Sequence, residues 1–211
     1  MSPPLVCFDL DLTLVDSTPA VAAVLASVSR SLLLPVDVGA VVAGLGPALE
    51  VLLGAQLPPA DARRLAHAYR DRYVQEGPRH AQTLPGAHAA IRAVRRRHGA
   101  VMVVTGQSER TARAHLAHAR LGVDTVVGSV WGPAKAEVLR EHGAFVYVGD
   151  HPADMNAAHA AGVLAVGVTT GRHSAADLAT GDAVLPSLTA FPRWLDSVRP
   201  RSLRDRTDNS P

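Results

Sequence analysis

The sequence predicts an α/β fold: a doubly wound parallel sheet with an all-helical domain inserted after the first strand. Three observations predict it. Short apolar runs end abruptly in polar residues, as buried parallel strands do at the carboxyl edge of a sheet. From about residue 85 onward such runs alternate with stretches of helical periodicity, the mark of βαβ units. Between about residues 17 and 80 only helical periodicity is found.

Leu5 to Phe8 is the first strand, and it runs straight into Asp9, Asp11 and Thr13. From Ser17 to about Leu34, Ala, Val, Leu and Ser recur at helical spacing. Ser17 or Thr18 is the expected N-cap, Pro19 suits the first turn, and Pro35 ends the helix. Val36 to Ala43 is a second helix, stopped by the loop signal Gly44-Leu45-Gly46-Pro47. Ala48 to Leu53 and Pro59 to Gln75 follow, the latter with Leu65, Ala68, Tyr69 and Arg72 on one helical face.

Pro85 to His98 is then a helix with Gly99 as its expected C-cap. Val101 to Val104 is a strand, Ser108 to Leu121 a helix, Thr125 to Val127 a strand, and Lys135 to His142 a short helix. Phe145 to Val148 and Val163 to Val166 are further strands. The expected organisation is a core of residues 1–16 and 82–198 and a helical domain of residues 17–81. The Arg, Asp and Ser content of the tail 199–211 predicts disorder.

Composition removes several function classes. Net charge is +2, which gives no warrant for nucleic-acid binding, and the arginines from Arg92 to Arg97 suit the exposed face and C-terminal end of a helix. Cys7 is the only cysteine, so neither a disulfide framework nor a thiolate metal cluster is expected, and it reads as a small core residue. No apolar stretch reaches the roughly 18 residues of a membrane span, and no charged region precedes an apolar one at the N-terminus. A cytoplasmic location is expected from these absences. One bias stands out: 20 of the 21 basic residues are arginine, which leaves Lys135 as the sole lysine.

Ligands of open α/β sheets bind beyond the carboxyl ends of the strands. Asp9 and Asp11 emerge there, although a strand followed by a polar turn accounts equally well for this stretch alone. Thr105 and Gly106 follow the strand ending at Val104 and precede a helix, a place where a hydroxyl and free N–H groups can bind an oxyanion. Lys135 lies at the start of a helix, where positive charge is unfavourable unless it holds an anion. Asp150 follows Gly149 at another strand end, and Asp154 comes four residues later. Carboxylates converging with Asp9 and Asp11 repel one another and call for a cation, and an oxygen-only ligand set favours magnesium. His151 reads as a bystander.

The set Asp9-Leu-Asp11-Leu-Thr13, Thr105-Gly106, Lys135 and Gly149-Asp150-x-x-x-Asp154 resembles the haloacid dehalogenase superfamily in its phosphatase branch. Gly86 within Leu84-Pro-Gly-Ala resembles the return from cap to core, and the likeness covers roughly residues 4 to 196. The resemblance implies a Rossmann-like core with a helical cap, as in phosphoglycolate phosphatase-like and β-phosphoglucomutase-like proteins. It makes Asp9 the nucleophile and Asp11 the acid and base, whose backbone carbonyl faces Mg2+. Thr105, Gly106 and Lys135 hold the phosphoryl group, and Asp150 and Asp154 complete the metal site. Leu45 and Glu50, in the glycine-rich turn of the cap, are the expected substrate contacts. The expected partner is a small phosphorylated metabolite.

Three departures from the family pattern are visible. Leu12 stands where glycine is usual, alanine follows Lys135 instead of proline, and the loop Gly44 to Pro47 has no cation for a second charged group. Asp11 argues against the dehalogenase branch, and a cap without lysine argues against a Schiff-base phosphonate hydrolase. A phosphomutase, and a non-catalytic regulatory or binding protein on the same fold, are the alternatives.

Overall fold

The computed structural model describes residues 4–45 and 49–198. Its centre is a six-stranded sheet made of β1 (Leu5–Phe8), β4 (Ala100–Val104), β5 (Thr125–Val127), β6 (Val146–Gly149), β7 (Leu164–Val168) and β8 (Ala183–Leu185). The spatial order is β5-β4-β1-β6-β7-β8 and every pairing is parallel. The chain therefore moves outward on one side of β1, then returns and moves outward on the other. The switch lies between β1 and β6, where a doubly wound sheet opens its crevice.

Alternation along the strands builds two cores. Val6, Phe8, Val101, Val103, Val146 and Val148 face one layer, packed with the buried residues of α5 (Ala87–Arg96), α6 (Glu109–His118) and α9 (Phe191–Ser197). Cys7, Met102, Val104 and Tyr147 face the other, with Leu139 of α7 (Ala134–Glu141) and Met155 and Ala158 of α8 (Pro152–Ala160). Each fully buried side chain of this size contributes about 1.5–3 kcal/mol through burial, so the central strands are the least movable part of the molecule. Cys7 is a buried core residue, and burial pushes its thiol up from its ordinary range.

Helices α1 (Thr18–Leu32), α2 (Val38–Ala43), α3 (Leu49–Gly54) and α4 (Pro59–Glu76), with a short 3-10 turn at Gly77–His80, gather around a third apolar cluster of their own. Val21, Val24, Leu25 and Val28 of α1 meet Ala62, Leu65 and Ala66 of α4 in that cluster. The insertion is stapled at its base by a two-residue antiparallel pair, β2 (Val15–Asp16) with β3 (Gln82–Thr83). The N–H of Leu84 adds a bond to the carbonyl of Leu14 at 3.0 Å.

Several boundaries differ from the sequence reading. Helix α1 ends at Leu32, because Leu33 turns left-handed at φ 55°, before Pro35 is reached. Helix α5 ends at Arg96, and the left-handed residue after it is His98 at φ 56° instead of Gly99. Gly99 is small for another reason: a Cβ there would stand 2.8 Å from the carbonyl oxygen of Pro4. Helix α6 stops at His118 and does not extend to Leu121. Gly46, Pro47 and Ala48 of the expected cap loop, and the tail 199–211, lie outside the described residues.

Candidate active site

Asp9 continues β1 by one residue, and its N–H donates to the carbonyl of Val148 at 2.8 Å. This bond places its side chain at the switch between β1 and β6. The chain then turns tightly, with Leu14 N–H on Leu10 O at 2.9 Å and Leu12 left-handed at φ 55°. A branched residue in that conformation costs about 1–2 kcal/mol, which glycine would avoid. The turn is held from outside by the hydroxyl of Thr170, which donates to the Leu12 carbonyl at 2.6 Å.

Thr105 follows β4 directly, with its N–H on Val127 O and its own carbonyl accepting from Val130 N–H, both at 3.0 Å. Its hydroxyl oxygen accepts from the N–H of Gln107 at 3.2 Å. A Cβ at Gly106 would meet the indole of the exposed Trp131, which would have to move aside. Ser108 caps α6 through the N–H of Thr111 at 3.2 Å.

Lys135 sits one residue inside α7, is 6% exposed, and has found two anions. Its Nζ donates to Asp9 Oδ1 at 2.9 Å and to Asp154 Oδ1 at 2.8 Å. These bonds offset the unfavourable position at a helix N-terminus. Tyr147, buried in β6, donates to the same Asp154 oxygen at 3.2 Å and lies under the ammonium, 5.4 Å from Nζ to ring centroid. The other Asp154 oxygen accepts from His151 N–H at 3.3 Å. Asp154 is thus the N3 member of a capping box whose N-cap is His151.

Asp150 is buried at the end of β6, and no side-chain donor among the described residues reaches its carboxylate. Gly171 packs against that carboxylate so closely that any Cβ would overlap it. Asp9, Asp150 and Asp154 each offer an oxygen within 4.8 Å of the others, so these three carboxylates can hold a metal ion. One ammonium against three buried carboxylates leaves an excess of negative charge, and an all-oxygen set suits a hard divalent cation. The residues fit the group.

The electrostatics agree. Burial pushes the Asp9 carboxyl up to about 8, with Lys135 opposing and Asp154 and Asp11 reinforcing the rise. Burial and the Asp154 charge push Asp150 up to about 7. For Lys135, burial favours the neutral form, but the Asp9 and Asp154 charges outweigh it and hold the ammonium above its ordinary value.

Asp11 stands apart from the three. Its Oδ1 accepts from the Ser17 hydroxyl and from Gln107 Nε2, the latter at 2.6 Å. Ser17, expected as a helix cap, makes no capping bond; Asp16 takes that role, accepting from Thr18 N–H at 2.9 Å. Burial raises the Asp11 carboxyl while these two bonds oppose the rise.

Leu45 packs into the helical cluster, and Glu50 pairs with Arg70 of α4 at 2.5 Å. Arg172, unremarked in the sequence, reaches from the loop after β7 to the helical insertion. It donates to the carbonyls of Val42 at 2.6 Å, Ala43 at 2.8 Å and Leu45 at 3.4 Å. The loop without a cation of its own receives one from the core.

Known proteins share this fold. Residues 3–162 match the family model described as haloacid dehalogenase-like hydrolase, and the chain belongs to that family. No curated protein matches it. Among solved structures, a haloacid dehalogenase-like family protein from Streptococcus pneumoniae superposes with a TM-score of 0.75 at 21% identity, covering 91% of this chain and 98% of that one. A predicted phosphatase from Clostridium acetobutylicum gives 0.73 at 18% identity, covering 94% and 100%. A predicted phosphoglycolate phosphatase from Haemophilus somnus gives 0.72 at 21% identity, covering 92% and 99%. At these identities the likeness is one of fold. Among the described residues no helix is long and apolar enough to cross a membrane.

Proposed function

We propose that the protein is a magnesium-dependent phosphatase that hydrolyses a small phosphomonoester through an aspartyl-phosphate on Asp9. The observation that carries this reading is the buried Asp9, bonded to the only lysine at the switch point, beside the Asp150 carboxylate that no side chain among the described residues satisfies. The phosphatase descriptions of two structural neighbours agree with it.

In the first displacement the Asp9 carboxylate attacks phosphorus, the bond to the leaving oxygen breaks, and Asp11 gives that oxygen its proton. In the second, Asp11 takes a proton from water as the water oxygen attacks phosphorus and Asp9 leaves. Thr105 and Lys135 hold the phosphoryl oxygens between the two steps, the ammonium offsetting the repulsion between carboxylate and phosphate. Magnesium held by Asp9, Asp150 and Asp154, with the Asp11 carbonyl, would supply further charge neutralisation at the phosphoryl group.

The helical insertion acts as a lid over this site, stapled at Val15–Asp16 and Gln82–Thr83 and tied down by Arg172. A lid on so short a base suits a small molecule and excludes a phosphoprotein. The test is release of inorganic phosphate from a panel of phosphorylated metabolites with magnesium present. Turnover of one or more small monoesters supports the reading; none across the panel overturns it.

A further inference from the structure

Gln107 lies two residues past Thr105, in the loop between β4 and α6. Its backbone is fixed on both sides: its N–H donates to Thr105 Oγ1 at 3.2 Å, and its carbonyl accepts from Ser129 N–H at 2.7 Å. From this anchor the side-chain amide reaches Asp11 and donates to Oδ1 at 2.6 Å, across 96 positions of sequence. Ser17 donates to the same oxygen. Two donors on Oδ1 leave Oδ2 without a hydrogen-bond partner among the described residues.

The other end of the amide carries the second observation. Gln107 Oε1 is buried and has no hydrogen-bond partner among the described residues. A buried carbonyl without a donor is costly, by about 1–3 kcal/mol, and is rare in native proteins unless it has a use. Here it sits on the amide whose nitrogen grips Asp11. The amide keeps this orientation for its Nε2 bond to Asp11, which leaves Oε1 unpaired.

We infer that Gln107 is the positioning residue for Asp11: Nε2 holds the carboxylate by Oδ1 and so fixes the direction of the oxygen that exchanges the proton. This rests on the phosphatase reading and adds a residue to it. Asp11 keeps one free oxygen, and that oxygen exchanges the proton in both displacements. Gln107 makes and breaks no covalent bond. Its contribution is geometric, and misplacing a reacting group by about an ångström costs up to about 10²-fold in rate.

The test uses the full chain with magnesium. Gln107→Met removes both polar ends at nearly constant size, and Gln107→His restores a donor at a similar reach. With an alkyl phosphomonoester, kcat of Gln107→Met should fall about 10- to 100-fold with KM changed less than about threefold, and Gln107→His should recover much of the loss. With p-nitrophenyl phosphate, whose leaving group needs no proton, Gln107→Met should release a fast burst of nitrophenolate followed by slow turnover. In an Asp11→Asn background Gln107→Met should cause no further loss, because a residue acting through Asp11 has nothing left to act on. Unchanged kcat in Gln107→Met, a full additional loss in the double variant, or failure of both Gln107 variants to fold would overturn the inference alone. Absence of turnover by the unaltered protein would overturn the phosphatase reading, and this inference with it.

Discussion

Lys135 donates to Asp9 at 2.9 Å across 126 positions of sequence, and both groups are buried. A compact ammonium reaches Asp9 and Asp154 at once, at 2.9 and 2.8 Å, from the first turn of α7. In a chain whose other basic residues are all arginine, this geometry explains why lysine persists. A planar guanidinium is longer and cannot point one charge at two carboxylates in the same space. Lys135→Arg should therefore lower kcat by at least about 10²-fold, the scale of losing one electrostatic donor at a developing charge. Steady-state kinetics check this, and wild-type rates would return Lys135 to the role of a structural charge.

The two leading carboxylates should respond differently. Asp9→Asn should abolish turnover in a folded protein, because it removes the atom that bonds to phosphorus. Asp11→Asn should slow turnover by about 10²–10⁴-fold, since it removes proton transfer and keeps the nucleophile. Circular dichroism and kinetics on both variants make the comparison, and near-normal rates in Asp9→Asn would end the mechanism.

Metal and pH are linked through Asp9 and Asp150. Burial raises their carboxyls to about 8 and about 7, so the metal-free folded protein keeps protons that an unfolded chain has already lost. The folded state then binds more protons than the unfolded state, and stability falls as pH rises toward those values. His115 runs the other way. Burial lowers it to about 4, so its contribution is lost as pH falls through the range between its ordinary value and 4. Between about pH 6.5 and 8.5 only the carboxylates should matter. There the melting temperature of the metal-free protein should drop with rising pH, and magnesium should restore it more at pH 8 than at pH 6.5. Asp150→Asn should flatten both trends. A metal-free melting temperature that rises over this window would contradict the assignment.

Much of the site is legible because its residues stand at strand ends, where a short apolar run makes their position readable. Asp9, Thr105 and Asp150 are of this kind, and Lys135 is readable as the sole lysine at the start of a helix. The residues that serve them are not. Ser17 has the sequence of a helix cap, yet its hydroxyl goes to Asp11. Gln107, Tyr147, Gly171 and Arg172 act through contacts that only the folded chain creates. β2 and β3 are two residues each, too short for an alternating pattern to register. His98 turns left-handed beside a glycine that the cap rule favours, because Gly99 is needed for close approach to Pro4.

Arg172 should govern the lid. Its guanidinium bonds to the exposed C-terminal carbonyls of α2, and Thr170, two residues earlier, holds the turn after Asp9. Losing these exposed bonds is worth about 1–2 kcal/mol in total, enough to raise the open population about tenfold. Arg172→Ala should raise KM for small phosphomonoesters by up to that factor and make the helical insertion more sensitive to limited proteolysis. Unchanged KM together with unchanged proteolysis would show that the contact carries no closure.

The most direct test of the account is to look for phosphate on Asp9. The protein is mixed with a turned-over phosphomonoester carrying a labelled phosphoryl group, quenched in acid within the first turnover, digested, and mapped by mass spectrometry. The account predicts label on the peptide containing Asp9, released by hydroxylamine and absent from Asp9→Asn, with more label accumulating in Asp11→Asn if hydrolysis of the intermediate is slowed. Turnover without any labelled peptide, or label on a different residue, would contradict it.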